Sequence, residues 1–590
     1  MGLDEALKSI SSFGRWQVIV YMLVGLSFGP PAMWQLFAIV FIGYINPHFC
    51  KADEGFTQDQ WSPKELDDFG TLTYAQCKRF SEAGNNKSAL TDCSKWKYVD
   101  DGFDENGGTI AMAWDLVCDK DTWVETSQTV FNVGVVSGFL IFTPLQDTFG
   151  RKRIFYFCAL IMNLFGLSMS FAPNYYVFCV MQFLTGAAAA GLYMSGLVIS
   201  TELFPSEFRN IMAPGSYLFF TIGTCTLSLW AHLFRHWRDL QFLISCIGFL
   251  SLLTFPLCPE SMRFLIVNNR LDEVKDILRK GARWNKKVFK EELLDDEKEV
   301  LTLSESVKFK QMFTNPRPRR YVLIMIFLVF ASNIAYYGLS LMTTSLSGDK
   351  YMNFFIVSLL EIPGTVVAII AMTLIGRRYP LVFFNLFAAV FLILSSVFTT
   401  VKINGELNED LMTSMALIAK FGISGAFTIE LIYSLEIYPT SLRGTGTGIT
   451  VGCGFMGSIM APYSVYLYRK YPIVPGLVFA GVSFIAAFLS LLEPETLGRP
   501  LPNTIEEINA WTLTLSKEEK ENAKEASRKF RALFSCKKNT AEVDVPTEAD
   551  TPAVVDSTSG IENPAFEPNN NIYDNINGAD NSKENDVTYI

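Results

Sequence analysis

The sequence predicts an all-α membrane protein with twelve transmembrane helices arranged as two six-helix pseudo-repeats. Three observations lead there. Apolar stretches of about 20 residues recur along the chain, the length a helix needs to cross ~30 Å of hydrocarbon. Half of the 590 residues are hydrophobic and only 18% are charged, which a soluble chain of this length would distribute over several amphipathic domains. Short phrases also return in the same order at nearly the same offset: "DTFGRKR" at 147–153 and "TLIGRRY" at 373–379, "STELFPSEFRN" at 200–210 and "SLEIYPTSLRG" at 434–444, "CPESMRF" at 258–264 and "EPETLGR" at 493–499. Three ordered echoes indicate a duplication whose copies run in parallel.

The twelve spans are placed at 16–45, 124–143, 152–171, 174–199, 211–233, 238–257, 320–343, 351–374, 379–400, 410–433, 445–467 and 472–492. Lysine and arginine set their orientation. The loops holding Arg151, Arg209, Arg377 and Arg443, and the insert at about 260–318, fall on one side, which is therefore cytosolic, as are both termini. The first ten residues carry charges and precede no apolar core before Trp16, so no cleavable signal peptide is expected. The expected organisation is 1–46 N-terminus and first helix, 47–120 extracellular loop, 121–257 helices two to six, 258–319 cytosolic loop, 320–493 helices seven to twelve, and 494–590 cytosolic C-terminal segment, mostly disordered after about 538. The net charge of −10 resides mostly in the first loop and the tail, and nothing suggests nucleic-acid binding.

The first loop holds four of the eleven cysteines, Cys50, Cys77, Cys93 and Cys118. In an oxidising compartment these read as two disulfides, with three connectivities open. The same loop carries the glycosylation sequon Asn86-Lys87-Ser88. His232 and His236 stand four residues apart without a third ligand nearby, and His48 lies elsewhere, so neither a metal nor a cofactor is expected, and no enzyme.

With these phrases in place, the chain resembles the major facilitator superfamily, and within it the organic ion transporters of solute carrier family 22, most closely the organic cation and carnitine branch. The resemblance spans about 10–515 and rests also on "AWDLVCDKDTW", "YYGLSL", "EIPG", "KFGISGAF" and "PETLGRPLPNTIEEI". It implies the major facilitator fold and transport of small organic ions by alternating access, with organic cations or carnitine-like zwitterions foremost. Organic anion transport, a sugar porter and a non-transporting receptor are the alternatives. It also implies that the repeated phrases sit at cytosolic helix ends where the halves touch. Asp147, Arg151, Glu202, Arg209, Arg377, Glu436 and Arg443 then form gating pairs, an acid at a helix end meeting an arginine two turns later. Thr373 stands where an acid is usual, so the second arginine loop should be one-sided, and Thr143 replaces a glycine, which should loosen helix packing. Gln182 stands where an arginine is usual, which argues against proton coupling through that position.

Substrate residues are expected near the midplane. Pro30 and Pro31 should interrupt the first helix, placing Trp34 and Gln35 at the site. Asn333, Tyr336, Tyr337 and Ser340 share one face of the seventh helix. Glu361, in the middle of the eighth, costs about 2.5–3.5 kcal/mol to insert and needs a partner or a wet cavity. The resemblance places it beside a substrate cation, with aromatic faces from Tyr336, Tyr337 and Trp34; pairing to a protein cation is the alternative. Lys420, Phe427 and Thr428 join it from the tenth helix, where Glu430 departs from the family pattern and either pairs with Lys420 or faces the other half. Phe455 stands where the family places a sign-setting charge. After about 515 comes a basic helical stretch, with Cys536 beside lysines as a candidate for palmitoylation. The last residues, Thr588-Tyr589-Ile590, fit the pattern a PDZ domain captures.

Overall fold

A computed structural model describes residues 2–53, 55–66, 72–82, 88–99, 108–289, 291, 309–343, 348–399, 402–403, 406–407, 409–439, 442–500, 502 and 504–534. Asn86, Cys536 and Thr588 to Ile590 lie outside them, as does the side chain of Arg443.

Among the described residues nine helices are long and apolar enough to cross a membrane. They supply spans one to four, seven to ten, and twelve: Arg15–Phe37 running on into Ile39–Ile42, Trp123–Phe149, Arg151–Met169, Tyr175–Glu202, Pro316–Met342, Lys350–Leu374, Arg378–Phe398, Glu409–Ile437 and Ile473–Ser490. The other three spans are built in pieces. The fifth is Ser206–Gly215 followed by Tyr217–Leu233, and the sixth is Trp237–Gly248 tightening into a 3-10 turn at Phe249–Thr254. The eleventh is Arg443–Gly454, Met456–Met460 and Tyr463–Lys470, interrupted at Phe455 and again before Tyr463, where Pro462 removes a backbone donor. Helix starts are capped where the sequence allows: Asn174 accepts from the Val177 amide (3.0 Å) and Asp349 from that of Met352 (2.8 Å).

One expectation needs correcting at once. Pro30 and Pro31 do not interrupt the first span, which stays helical from Arg15 to Phe37. Prolines are tolerated in membrane helices where neighbouring helices pack against them, and here the fifth span does so. Gly223 lies so close that a Cβ there would stand 2.7 Å from Pro30 Cα.

The duplication is visible in three dimensions, and it explains the repeated phrases. Gly150 and Gly376 end matching helices with φ of +100° and +118°, a conformation that favours glycine. Against each turn lies the glutamate of the echoed Pro-Glu-Ser or Pro-Glu-Thr. Glu260 accepts from the Lys152 amide (3.0 Å), and Glu495 accepts from the amides of Arg377 (2.9 Å) and Arg378 (3.1 Å). The hydroxyl beside each glutamate, Ser261 or Thr496, donates to the acid of Glu-x-x-Pro, Glu202 or Glu436. Each half thus braces its own helix ends, and the phrase is written twice because the brace is.

The two halves meet along the second and eleventh spans, where Gly448 faces Thr143 and Gly452 faces Phe139. Thr143 therefore packs close rather than loosening this seam. Its methyl would stand 2.9 Å from a Cβ at Gly448, so the glycine has passed to the opposite helix.

The first loop is not helical throughout. His48–Cys50 pairs with Trp96–Tyr98, Lys64–Leu66 with Leu72–Tyr74 and Lys78–Phe80 with Leu90–Asp92, all antiparallel. The disulfides are Cys50–Cys93 and Cys77–Cys118. Closing loops of this length stabilises by about 4 kcal/mol each on chain entropy.

Candidate functional site

A cavity lies between the halves, halfway along the bundle. The first half contributes Ala32, Met33 and Leu36, then Phe131, Val135 and Phe139, then Tyr193, Tyr217, Phe220 and Thr221. The second half contributes Tyr336 and Tyr337, Glu361 and Thr365, Ser424, Phe427 and Thr428, and Phe455. The wall is aromatic, with hydroxyls and one carboxylate among the lining residues. Rings close over it toward the cysteine loop: Phe37 stacks on Tyr337 at 5.7 Å, and Phe41 meets Tyr351 at 5.4 Å and Phe354 at 5.2 Å. Toward the arginine side, the Tyr193 and Tyr217 hydroxyls lie 3.5 Å apart and Tyr217 meets Phe427 at 5.5 Å.

Glu361 is buried, and Lys420 is its counter-charge. The Lys420 ammonium lies 3.1 Å from Glu361 Oε1 and is fully buried. It donates also to Ser340 Oγ (2.5 Å) and the Tyr336 carbonyl (3.3 Å), and stands 3.3 Å from the centroid of the Tyr336 ring. An ammonium has three donors, and all three are engaged. The other carboxylate oxygen, Oε2, accepts from Thr221 across the seam at 3.4 Å. A long, weak bond to a hydroxyl of the opposite half is one that a bound cation could replace.

Of the residues singled out from sequence, Glu361, Tyr336, Tyr337, Phe427, Thr428 and Phe455 line the cavity, and Lys420 stands directly behind Glu361. Three do not line it. Trp34 donates its indole N–H to the Gly223 carbonyl (3.0 Å) and Thr226 (3.0 Å), so it faces the fifth span. Gln35 joins Ser245 (3.0 Å) and Gln241 (2.8 Å) of the sixth. Asn333 is wholly buried and turns its amide to the Val329 carbonyl of its own helix. The cavity side of the first span is Ala32, Met33 and Leu36. Sequence reasoning missed the whole first-half wall. Phe131, Val135 and Phe139 recur every fourth residue, a helical face, but nothing in apolar spacing tells a cavity face from a packed one.

The expected arginine pairs also rearrange. Glu202 does not meet Arg209: the acid takes Ser261, and the arginine reaches Asp4 of the N-terminal helix Gly2–Ser9 (3.0 Å). Arg151 pairs one turn back with Asp147 (2.8 Å). The second arginine loop is the more strongly paired one despite Thr373, because Arg377 reaches across to Glu436 through two bonds, 2.6 and 3.0 Å, both partners buried. Each of the Arg151 and Arg377 pairs stays within its own half. Glu430 does not pair with Lys420. Ten residues separate them, a rise of about 15 Å, and Glu430 accepts from Ser332 instead (2.7 Å).

Two packed six-helix halves with a central cavity define a major facilitator carrier, and known proteins agree. The proton:xylose symporter bound to 6-bromo-6-deoxy-D-glucose shares the fold at a TM-score of 0.56, with 14% identity over 85% of this chain and 99% of the symporter. Residues 64–509 match the family described as "Sugar (and other) transporter". Solute carrier family 22 member 3 of Rattus norvegicus is 29% identical over 86% of this chain and 95% of its own. Organic cation/carnitine transporter 2 of Mus musculus is 30% identical over 86% and 93%. The chain belongs to the sugar (and other) transporter family of the major facilitator superfamily, within solute carrier family 22.

Proposed function

We propose that this transporter carries small organic ions bearing an ammonium group, carnitine-like zwitterions first and simple organic cations second, by alternating access at the plasma membrane. The observation that carries this reading is Glu361, a carboxylate on the seam between the halves, in a cavity walled by Tyr217, Tyr336, Tyr337 and Phe427. An organic ammonium there meets a counter-charge and ring faces, each cation–π contact contributing about 0.5–2 kcal/mol when desolvated. The names of the similar organic cation/carnitine transporters support the same class.

Lys420 orders the two substrates. A simple cation bound at Glu361 leaves this buried group with a net positive charge, because Lys420 keeps its own. A zwitterion restores neutrality: its ammonium takes Glu361 while its carboxylate remains within the field of Lys420 and the hydroxyls of Thr365, Ser424 and Thr428. Buried charge is tolerated when paired, so the zwitterion is favoured. A simple anion finds no free cation among the lining residues, and a hexose finds no Asn or Gln among them.

The orientation follows from the positive-inside pattern: the Arg151 and Arg377 loops and both termini face the cytosol. There Asp147–Arg151 and Arg377–Glu436 stabilise the helix ends as the halves rock. The experiment is an uptake panel in proteoliposomes of the purified protein. Radiolabelled carnitine should enter fastest, tetraethylammonium more slowly, and benzoate and glucose at the protein-free rate. Leading uptake of benzoate or glucose would contradict the reading.

A further inference from the structure

Below the central cavity lies a second, smaller one, lined by Glu430, Leu431, Ser434, Val329 and Val451. Tyr193, Tyr217, Phe427 and Phe455 line both, so these four rings form the partition between them. Glu430 is 2% exposed. One of its oxygens accepts from Ser332, and the other, Oε2, has no hydrogen-bond partner. No lysine, arginine or histidine forms an ion pair with it among the described residues. A carboxylate removed from water and left half-satisfied is costly, and a carboxylate that lines a cavity is satisfied when a cation occupies that cavity.

We propose that Glu430 is a second anionic subsite, which receives the ammonium group of the substrate after it has passed the aromatic partition on the way to the arginine side. This rests on the ammonium reading of the central cavity. The geometry gives the ammonium two stations. At the first, Glu361 is already neutralised by Lys420 and holds the incoming cation weakly enough to release it. At the second, Glu430 has no counter-charge of its own and the ammonium supplies one, the ring faces carrying the cation between the two carboxyl groups. Passage through a narrow apolar constriction is fast when a favourable site lies on each side of it and neither site is a trap. Glu430 and Glu361 are thereby distinguishable, because the first acts on the rate of passage and the second on binding.

The test is tetraethylammonium flux in proteoliposomes, measured for wild type, E361Q, E430Q and E430D. Tetraethylammonium carries the ammonium without a carboxylate and so reports on this group alone. E430Q should lower kcat about tenfold with KM within twofold of wild type, and E430D, which keeps the charge, should recover most of the rate. E361Q should instead raise KM about tenfold. Melting of purified E430Q at or above the wild-type temperature would confirm that the loss is not one of folding. The inference is overturned if E430Q transports as wild type does, if E430D fails as badly as E430Q, or if E430Q removes only the pH dependence of uptake, which would make Glu430 a proton carrier. Absence of tetraethylammonium transport by wild type would instead overturn the ammonium reading itself, and this inference with it.

Discussion

Lys420 occupies the place from which a protein cation would compete with a substrate. Its ammonium is held by Glu361, Ser340 and the Tyr336 carbonyl, against the face of Tyr336. Removing it leaves Glu361 buried without a partner, which costs about 3–5 kcal/mol. K420Q should therefore melt well below wild type in detergent, and tetraethylammonium should restore about 2.7 kcal/mol of this at a hundredfold excess over Kd. A K420Q protein that melts as wild type does, indifferent to the ligand, would show that the pair is not under strain of charge. Phe455 offers a second probe, since it stands between Phe139 (4.9 Å) and Tyr337 (5.9 Å) at the seam. F455D should shift selectivity toward cations and F455R toward anions; unchanged selectivity in both would place Phe455 outside the substrate path. The sequence alone allowed Glu361 either a substrate or a protein partner, because the eighth and tenth spans carry no sign of which faces they turn to each other. Trp34 and Gln35 failed for a related reason. Nearness to prolines marks a depth in the membrane and not a direction around the helix.

At the scale of elements, the repeated phrases are braces, and their energies should differ. Arg377 and Glu436 are both buried, whereas Asp147 is half exposed to solvent beside Arg151. Breaking a buried pair costs about 3–5 kcal/mol, while an exposed pair one helical turn apart contributes about 0.3–0.5 kcal/mol. R377A should thus destabilise the purified protein far more than R151A, by thermal melting of both; equal losses would mean that burial does not set the difference. Here the sequence was highly legible. Glycine at a positive-φ turn, glutamate after proline, hydroxyl after glutamate and glutamate before another proline all recur, and each finds the same partner type in both halves. What it could not show was that the phrases bind one another within a half. Their partners lie more than fifty residues away in the chain, as with Glu202 and Ser261, so spacing is silent on them. The fifth, sixth and eleventh apolar stretches coincide with helical pieces, yet their breaks at Ser216, Phe249 and Ala461 follow local backbone turns that hydropathy averages away.

At the scale of the molecule, alternating access requires that the halves separate first on one side and then on the other. The second and eleventh spans stay in contact along their length, from Thr143 against Gly448 to Glu125 bound to Arg469. Deleting Thr588 to Ile590 should leave flux by the purified protein intact while reducing retention at one face of polarised cells, if a PDZ scaffold reads that end. Unaltered localisation would remove the scaffold from the account.

The central claim is that Glu361, on the seam between the halves and balanced by Lys420, is where the substrate's ammonium binds. Counterflow of radiolabelled carnitine and tetraethylammonium into proteoliposomes holding equal amounts of wild-type and E361Q protein tests it most directly. Both substrates, supplied well below KM, should enter E361Q vesicles at no more than about a tenth of the wild-type rate, the loss of roughly 1.4 kcal/mol of interaction. Equal counterflow by the two proteins would mean that the ammonium binds elsewhere.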